Sequence, residues 1–402
     1  MKRRDFSIAA VAVAAAMAAA PASAKGQYDV GASDKEIKIG NTMPYSGPAS
    51  SYGTIGKTMA AYFKMINEKG GVNGRKINFI SLDDGYSPPK TVEQVRKLVE
   101  QEEVLFLFGI LGTPTNSAIH KYVNQKKVPH LFVATGATKW GDPKGHPWTM
   151  GWQPSYQAEG RIYAMHLLDT MPNAKVGILF QNDDYGKDYV HGFEEALGSK
   201  AKSMIIKKVS YETTDPTVDS QIVDLKASGA NVFFNVTIPK FAAQAIKKAN
   251  EIGWKPVHYL NCGSASVGST LKPAGLDASK DIISVQYNKD PTDPAWEKDP
   301  GFLEYKAFLA KYYPQGNLID ALNVYGYNSA MGLIQVLKQA GDNLTRANIM
   351  KQAASLNIPG LPMLLPGIDV KTSATDFYPV EKEQLIKFDG TKFIRFGKVY
   401  GR

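Results

Sequence analysis

Strands that alternate with helices along nearly the whole chain predict an α/β protein of two lobes, each a parallel sheet flanked by helices. Three features carry that expectation. Short apolar runs are each followed by a turn and a stretch of helical period, the signature of βα units and a parallel sheet. The alternation runs through a fourth strand and its long loop, then begins again at Tyr156. At 402 residues, the chain also exceeds the size at which one core keeps growing.

The first half opens with a strand at 37–41, a turn-rich loop at 42–53 carrying Tyr45 and Tyr52, and a helix at 54–68 ended by Gly70-Gly71. A second strand at 76–82 and a helix at 88–102 with proline near its start come next. The third strand, 104–108, runs into a turn that holds Leu111, Gly112 and Thr113, and Ser117, Ala118, Ile119 and Tyr122 then recur at helical spacing. The first turn of such a helix presents unpartnered N–H groups at the positive end of the macrodipole, so a carboxylate is the natural guest. A Thr that only caps its own helix is the alternative this stretch leaves open. The fourth strand, 129–133, ends at Ala134, Thr135 and Gly136. Ligands of open parallel sheets bind beyond the carboxyl ends of the strands, where Tyr45, Tyr52, Thr113 and residues 134–136 all fall.

The second half repeats the pattern: helix 156–171, strand 175–180, loop 181–186, helix 187–197, then segments 204–209, 218–227, 232–236 and 241–252. Its strand ends supply Tyr185, Thr237, Asn261 and Cys262. A strand at 282–286 precedes three helices (301–312, 321–340, 346–355), proline-rich turns and a hairpin around Asp389-Gly390. No sequence repeat relates the two halves.

The N-terminus reads as an export leader: Lys2, Arg3 and Arg4, an alanine-rich apolar run from Ile8 to Ala20, and Ala22-Ser23-Ala24 as the cleavage signal. Arg3-Arg4 is also compatible with the twin-arginine route. A cleaved signal peptide at 1–24 places the mature chain in the periplasm, and no later run is long and apolar enough to span a membrane. A single cysteine, Cys262, excludes an internal disulfide. The net charge of +9 falls to +7 without Lys2, Arg3, Arg4 and Asp5, and the remaining charges are interspersed, which is a solvated surface and not a nucleic-acid footprint.

Catalytic and cofactor signatures are missing. Six scattered histidines offer no metal-ligand spacing, there is no G-x-S-x-G elbow and no G-x-G-x-x-G, and the stretch 51–58 lacks the first glycine of a phosphate loop. The reading is a non-enzyme without cofactor or metal, with an exported α/β enzyme as the least favoured alternative. The acid pairs Asp83-Asp84 and Asp183-Asp184 are better read as caps of the helices that follow than as general acids.

The mature sequence resembles the periplasmic branched-chain amino-acid-binding proteins of ABC importers, the leucine-binding type with a type I periplasmic binding fold. The resemblance rests on Ile37 to Gly40, Ser46-Gly47-Pro48 with Tyr52-Gly53, the run Asn67 to Gly74, Leu82-Asp83-Asp84, Gly109 before the Thr-rich turn, and Asp184-Tyr185-Gly186. It implies a monomeric two-lobed receptor that closes on a small solute by hinge bending and delivers it to an inner-membrane permease. It divides the chain into lobe 1 (35–152 plus 287–360) and lobe 2 (153–286 plus 361–402), joined by three hinge crossovers.

The resemblance also implies that Leu111, Gly112 and Thr113 bind the ligand carboxylate and that Tyr52 and Tyr185 are aromatic pocket residues. Relatives clamp an α-ammonium with a Thr and a Glu, whose matching positions here are Gly136 and Cys262, with no carboxylate expected near Cys262. A buried ammonium without an anionic partner costs several kcal/mol, so the expected ligand is a carboxylate without an ammonium. Tyr45, Tyr52, Trp140, Trp148, Trp152, Tyr185 and Tyr287 suit an aromatic acid of the benzoate or hydroxycinnamate kind. A branched-chain amino-acid or amide receptor of the same fold is the alternative.

Overall fold

Two sheets organise the chain, and the computed structural model describes residues 26–401 of it. The leader read at 1–24 lies outside the described residues. The first sheet has five parallel strands in the spatial order Lys76–Asp83, Glu36–Met43, Phe106–Phe108, His130–Val133, Thr149–Gly151. Its inner strands are apolar on both faces because helices cover both sides; Phe106, Leu107 and Phe108 are wholly buried.

The second sheet has seven strands in the order Phe393–Tyr400, Glu383–Phe388, Ile283–Gln286, Val257–Leu260, Val232–Val236, Val176–Gln181, Ile205–Tyr211. Its five strands from Ile283–Gln286 onward are parallel, and the C-terminal hairpin adds two antiparallel ones. The hairpin turn is held by Asp389, whose carboxylate accepts from the Thr391 and Lys392 N–H groups at 2.7 and 2.9 Å.

The late helices Pro300–Tyr312 and Ala321–Ala340 return to the first sheet and pack on Gly53–Glu68. Contact is close enough that a Cβ at Gly326 would come within 2.7 Å of the Ile55 carbonyl oxygen, so only glycine fits there. Thr58 donates to Asn323 at 2.7 Å across the same seam.

Val257–Leu260 is the strand whose end carries Asn261 and Cys262; it includes His258, whose ring lies 4.5 Å from that of Phe233 and whose burial pushes its pKa down to about 3. One helix differs from the sequence expectation. The helix expected at 187–197 begins earlier, at Asp184, because Asp183 caps it by accepting from the Tyr185 and Gly186 N–H groups at 2.9 and 3.3 Å.

Candidate binding cleft between the two sheets

The helix Thr113–Gln125 starts at Gly112, whose φ of +100° turns the chain sharply out of the strand. No side chain among the described residues caps this helix. Thr115 is turned back onto the Leu111 and Gly112 carbonyls, and Pro114 has no N–H to offer. The first-turn N–H groups of Thr113 and Thr115 are thus left for a guest. Leu111 bridges to Ala134 in parallel register, and the hydroxyls of Thr113 and Thr135 are hydrogen-bonded, so this turn and the next strand end form one rigid corner.

Facing it, the helix beginning at Asp184 presents Tyr185, and Tyr156 stacks on Tyr189 at 4.4 Å and meets Tyr185 edge-on at 5.3 Å. Between these walls lies a cleft of about 860 Å³, counted with its mouth open to solvent. Six tyrosines line it: Tyr52, Tyr86, Tyr156, Tyr185, Tyr287 and Tyr325. Among the described residues of the lining none is acidic, and its one cation, Lys289, is bound to Asp299 at 2.6 Å. The hydroxyls of Tyr185 and Tyr325 are buried and have no hydrogen-bond partner among the described residues.

Of the residues singled out from the sequence, Tyr52, Leu111, Gly112, Thr113, Ala134, Tyr185 and Cys262 come together in the lining. The other five stand outside it. Tyr45 is turned to Ser81, 2.6 Å from its hydroxyl. Thr135 lies behind Thr113, and Thr237 donates to Asn235 at 2.7 Å. Asn261 donates to the Thr237 carbonyl at 2.8 Å. Gly136 accepts from the Tyr156 N–H at 2.7 Å, and a Cβ there would meet the Tyr156 ring at 2.7 Å, so Tyr156 occupies the space of the missing Thr side chain. The tryptophans do not reach the cleft lining either: Trp140 packs on His120 and His146, Trp148 is half-buried at the core edge, and Trp152 lies 4.9 Å from Phe132.

One expectation is overturned outright. A carboxylate does stand beside Cys262: Glu159 accepts the Cys262 N–H at 2.7 Å, together with the hydroxyls of Tyr163 at 2.7 Å and Tyr189 at 2.6 Å. It was not legible because it comes from a helix over 100 positions away in sequence, folded behind the Cys262 loop. Burial raises its pKa to about 7 against the pull of those three donors; burial also raises Glu383, and the Glu159 charge adds to that rise. Glu159 is absent from the lining, and its oxygens are already engaged with the protein.

Tyr86, Tyr156 and Tyr325 are lining residues that the sequence reading missed. Tyr86 directly follows Asp83-Asp84-Gly85 at a strand end, a signal that was available; Tyr325 sits inside a long helix where its spacing reads as core.

Comparison with known proteins places this geometry. The family model for periplasmic binding proteins matches residues 36–386. A Leu/Ile/Val-binding protein homolog of Brucella suis is 26% identical over 322 residues, covering 75% of each chain. Among solved structures, a branched-chain amino acid ABC transporter protein from Thermus thermophilus with bound valine superposes with a TM-score of 0.82 at 16% identity, covering 94% of this chain and 97% of that one. A solute-binding protein of an ABC transporter from R. palustris in complex with benzoate does so with 0.77 at 20% identity, covering 91% and 98%. Two sheet-based lobes around a tyrosine-lined cleft, with the family model spanning most of the sequence, establish that the chain belongs to the periplasmic binding protein family.

Proposed function

We propose that this protein is the periplasmic receptor of an ABC importer and binds a small aromatic carboxylate, of the benzoate or hydroxycinnamate kind, without catalysing its conversion. The observation that carries the reading is the composition of the cleft: an uncapped helix start for an anion, six tyrosine rings for a flat body, and no acidic side chain to receive an ammonium. The benzoate complex of the R. palustris protein supports it by analogy of fold. In this reading the lobes comprise 35–152 plus 287–360 and 153–286 plus 361–402, the chain acts as a monomer, and the closed receptor docks on an inner-membrane permease.

A branched-chain amino acid is the second reading, favoured by Glu159 beside Cys262. Thermal shift of the chain from Lys25 onward separates the two. A ligand at about 100 times its dissociation constant stabilises by roughly 2.7 kcal/mol. A shift with benzoate or hydroxycinnamate and none with leucine is the expected result; a shift with leucine alone refutes the aromatic-acid reading and leaves the receptor class standing.

A further inference from the structure

Tyr86 holds a left-handed backbone, φ +62°, which a bulky residue keeps only where its surroundings over-determine it. Three contacts do so. Its N–H donates to Asp84 at 3.0 Å, and the wholly buried Asp84 is pinned by the hydroxyls of Thr42 at 2.8 Å and Thr91 at 2.9 Å. Its ring lies so close over Gly112 that a Cβ there would come within 2.5 Å of the ring carbon Cε2. Its hydroxyl makes a long contact, 3.4 Å, with Nε2 of Gln181 on the second sheet. Gln181 in turn donates to Asp183 at 2.6 Å and accepts from Tyr211 at 2.9 Å, and Asp183 caps the helix that carries Tyr185. Tyr86 therefore links the two helix starts that face the cleft and covers the first of them.

We propose that Tyr86 determines specificity by roofing the anion turn at Gly112, admitting a carboxylate attached to a planar carbon and rejecting one whose neighbouring carbon bears an amino or hydroxyl group. A carboxylate on an aryl or vinyl carbon lies flat and slides beneath the ring. A tetrahedral carbon projects its substituent out of that plane and into the roof. The inference rests on the acid-binding reading above and gives it a steric basis in addition to the lack of an acidic partner.

The test is calorimetry of the wild type, Tyr86→Phe and Tyr86→Asn with benzoate, cinnamate, mandelate and phenylglycine. Asn tolerates the left-handed region, so the backbone is kept while the roof is removed; Tyr86→Gly is a second truncation that also accepts this backbone. The wild type is expected to favour the planar acids by about 50-fold or more, Tyr86→Phe to keep that ratio, and the truncations to shrink it to within about 10-fold by gaining mandelate. A truncation that weakens all four acids equally, or a wild type that binds mandelate as well as benzoate, overturns the roof and leaves the acid-binding reading intact. A wild type that binds none of the four overturns both.

Discussion

The hydroxyls of Thr113 and Thr135 lie 2.6 Å apart, both buried, where neighbouring strands of the first sheet run out into the cleft. Either hydroxyl can donate in this pair, and Thr135 also accepts the Ala137 N–H at 3.2 Å; when Thr135 donates to Thr113, the Thr113 proton is left for a ligand oxygen. Thr113→Ala is expected to weaken benzoate binding by roughly 1 to 3 kcal/mol, the range for a hydrogen bond to a charged group. Thr135→Ala should weaken it less, because it orients the donor without touching the ligand. Isothermal calorimetry reads both, and an unchanged affinity for Thr113→Ala would remove that hydroxyl from the site.

Cys262 sits at the cleft wall with two raised carboxyls behind it. Cys262→Glu would add a third acid to that neighbourhood and face an anionic ligand with a like charge, so acid binding should fall at least about tenfold. Retained affinity would mean that this loop does not face the ligand carboxylate's side of the cleft at all.

Glu159 and Glu383 also set a pH dependence. Burial raises both above the ordinary carboxyl value of 4.5, Glu159 to about 7, so the folded chain retains protons that the unfolded chain has released. The contribution of Glu159 to stability is full below about pH 4.5 and is lost as the pH rises through 7, and Glu383 acts in the same direction. Buried His130 and His258, each lowered to about 3, act in the opposite sense below their ordinary value of 6.5. The carboxyl effect is therefore cleanest between pH 6.5 and 8, where melting temperature should drop as pH rises. Glu383→Gln should flatten that slope, and equal slopes in the two proteins would refute the coupling.

Tyr325 carries a buried hydroxyl without a partner among the described residues. Replacing it by phenylalanine removes an unmet desolvation cost, so Tyr325→Phe should raise the stability of the free protein by roughly 1 kcal/mol in urea titration. A loss of stability instead would show that the hydroxyl is satisfied in solution.

The βα alternation, the two lobes and the helix start at Gly112-Thr113-Pro114 were legible because each is written locally, in apolar runs, in glycines and in the turn itself. The composition of the site was less so. Tyr156 enters the cleft because Gly136 leaves room for its ring, and Glu159 reaches Cys262 from a distant helix; both are products of packing between segments that no window of sequence brings together. The tryptophans misled for the converse reason. Their loops lie near the strand ends, but Trp140 and Trp152 are buried in the core and Trp148 packs against its edge.

The chain's single cysteine is also a lining residue of the cleft, so the protein contains a built-in covalent probe of its own occupancy. Burial and the two nearby carboxyls hold the Cys262 thiol well above its ordinary pKa, which makes it a slow nucleophile. Its modification rate by a small maleimide therefore reports access to the cleft, and protection by a bound solute can be followed by mass spectrometry on the wild-type chain, with no label to engineer and no competing thiol to subtract.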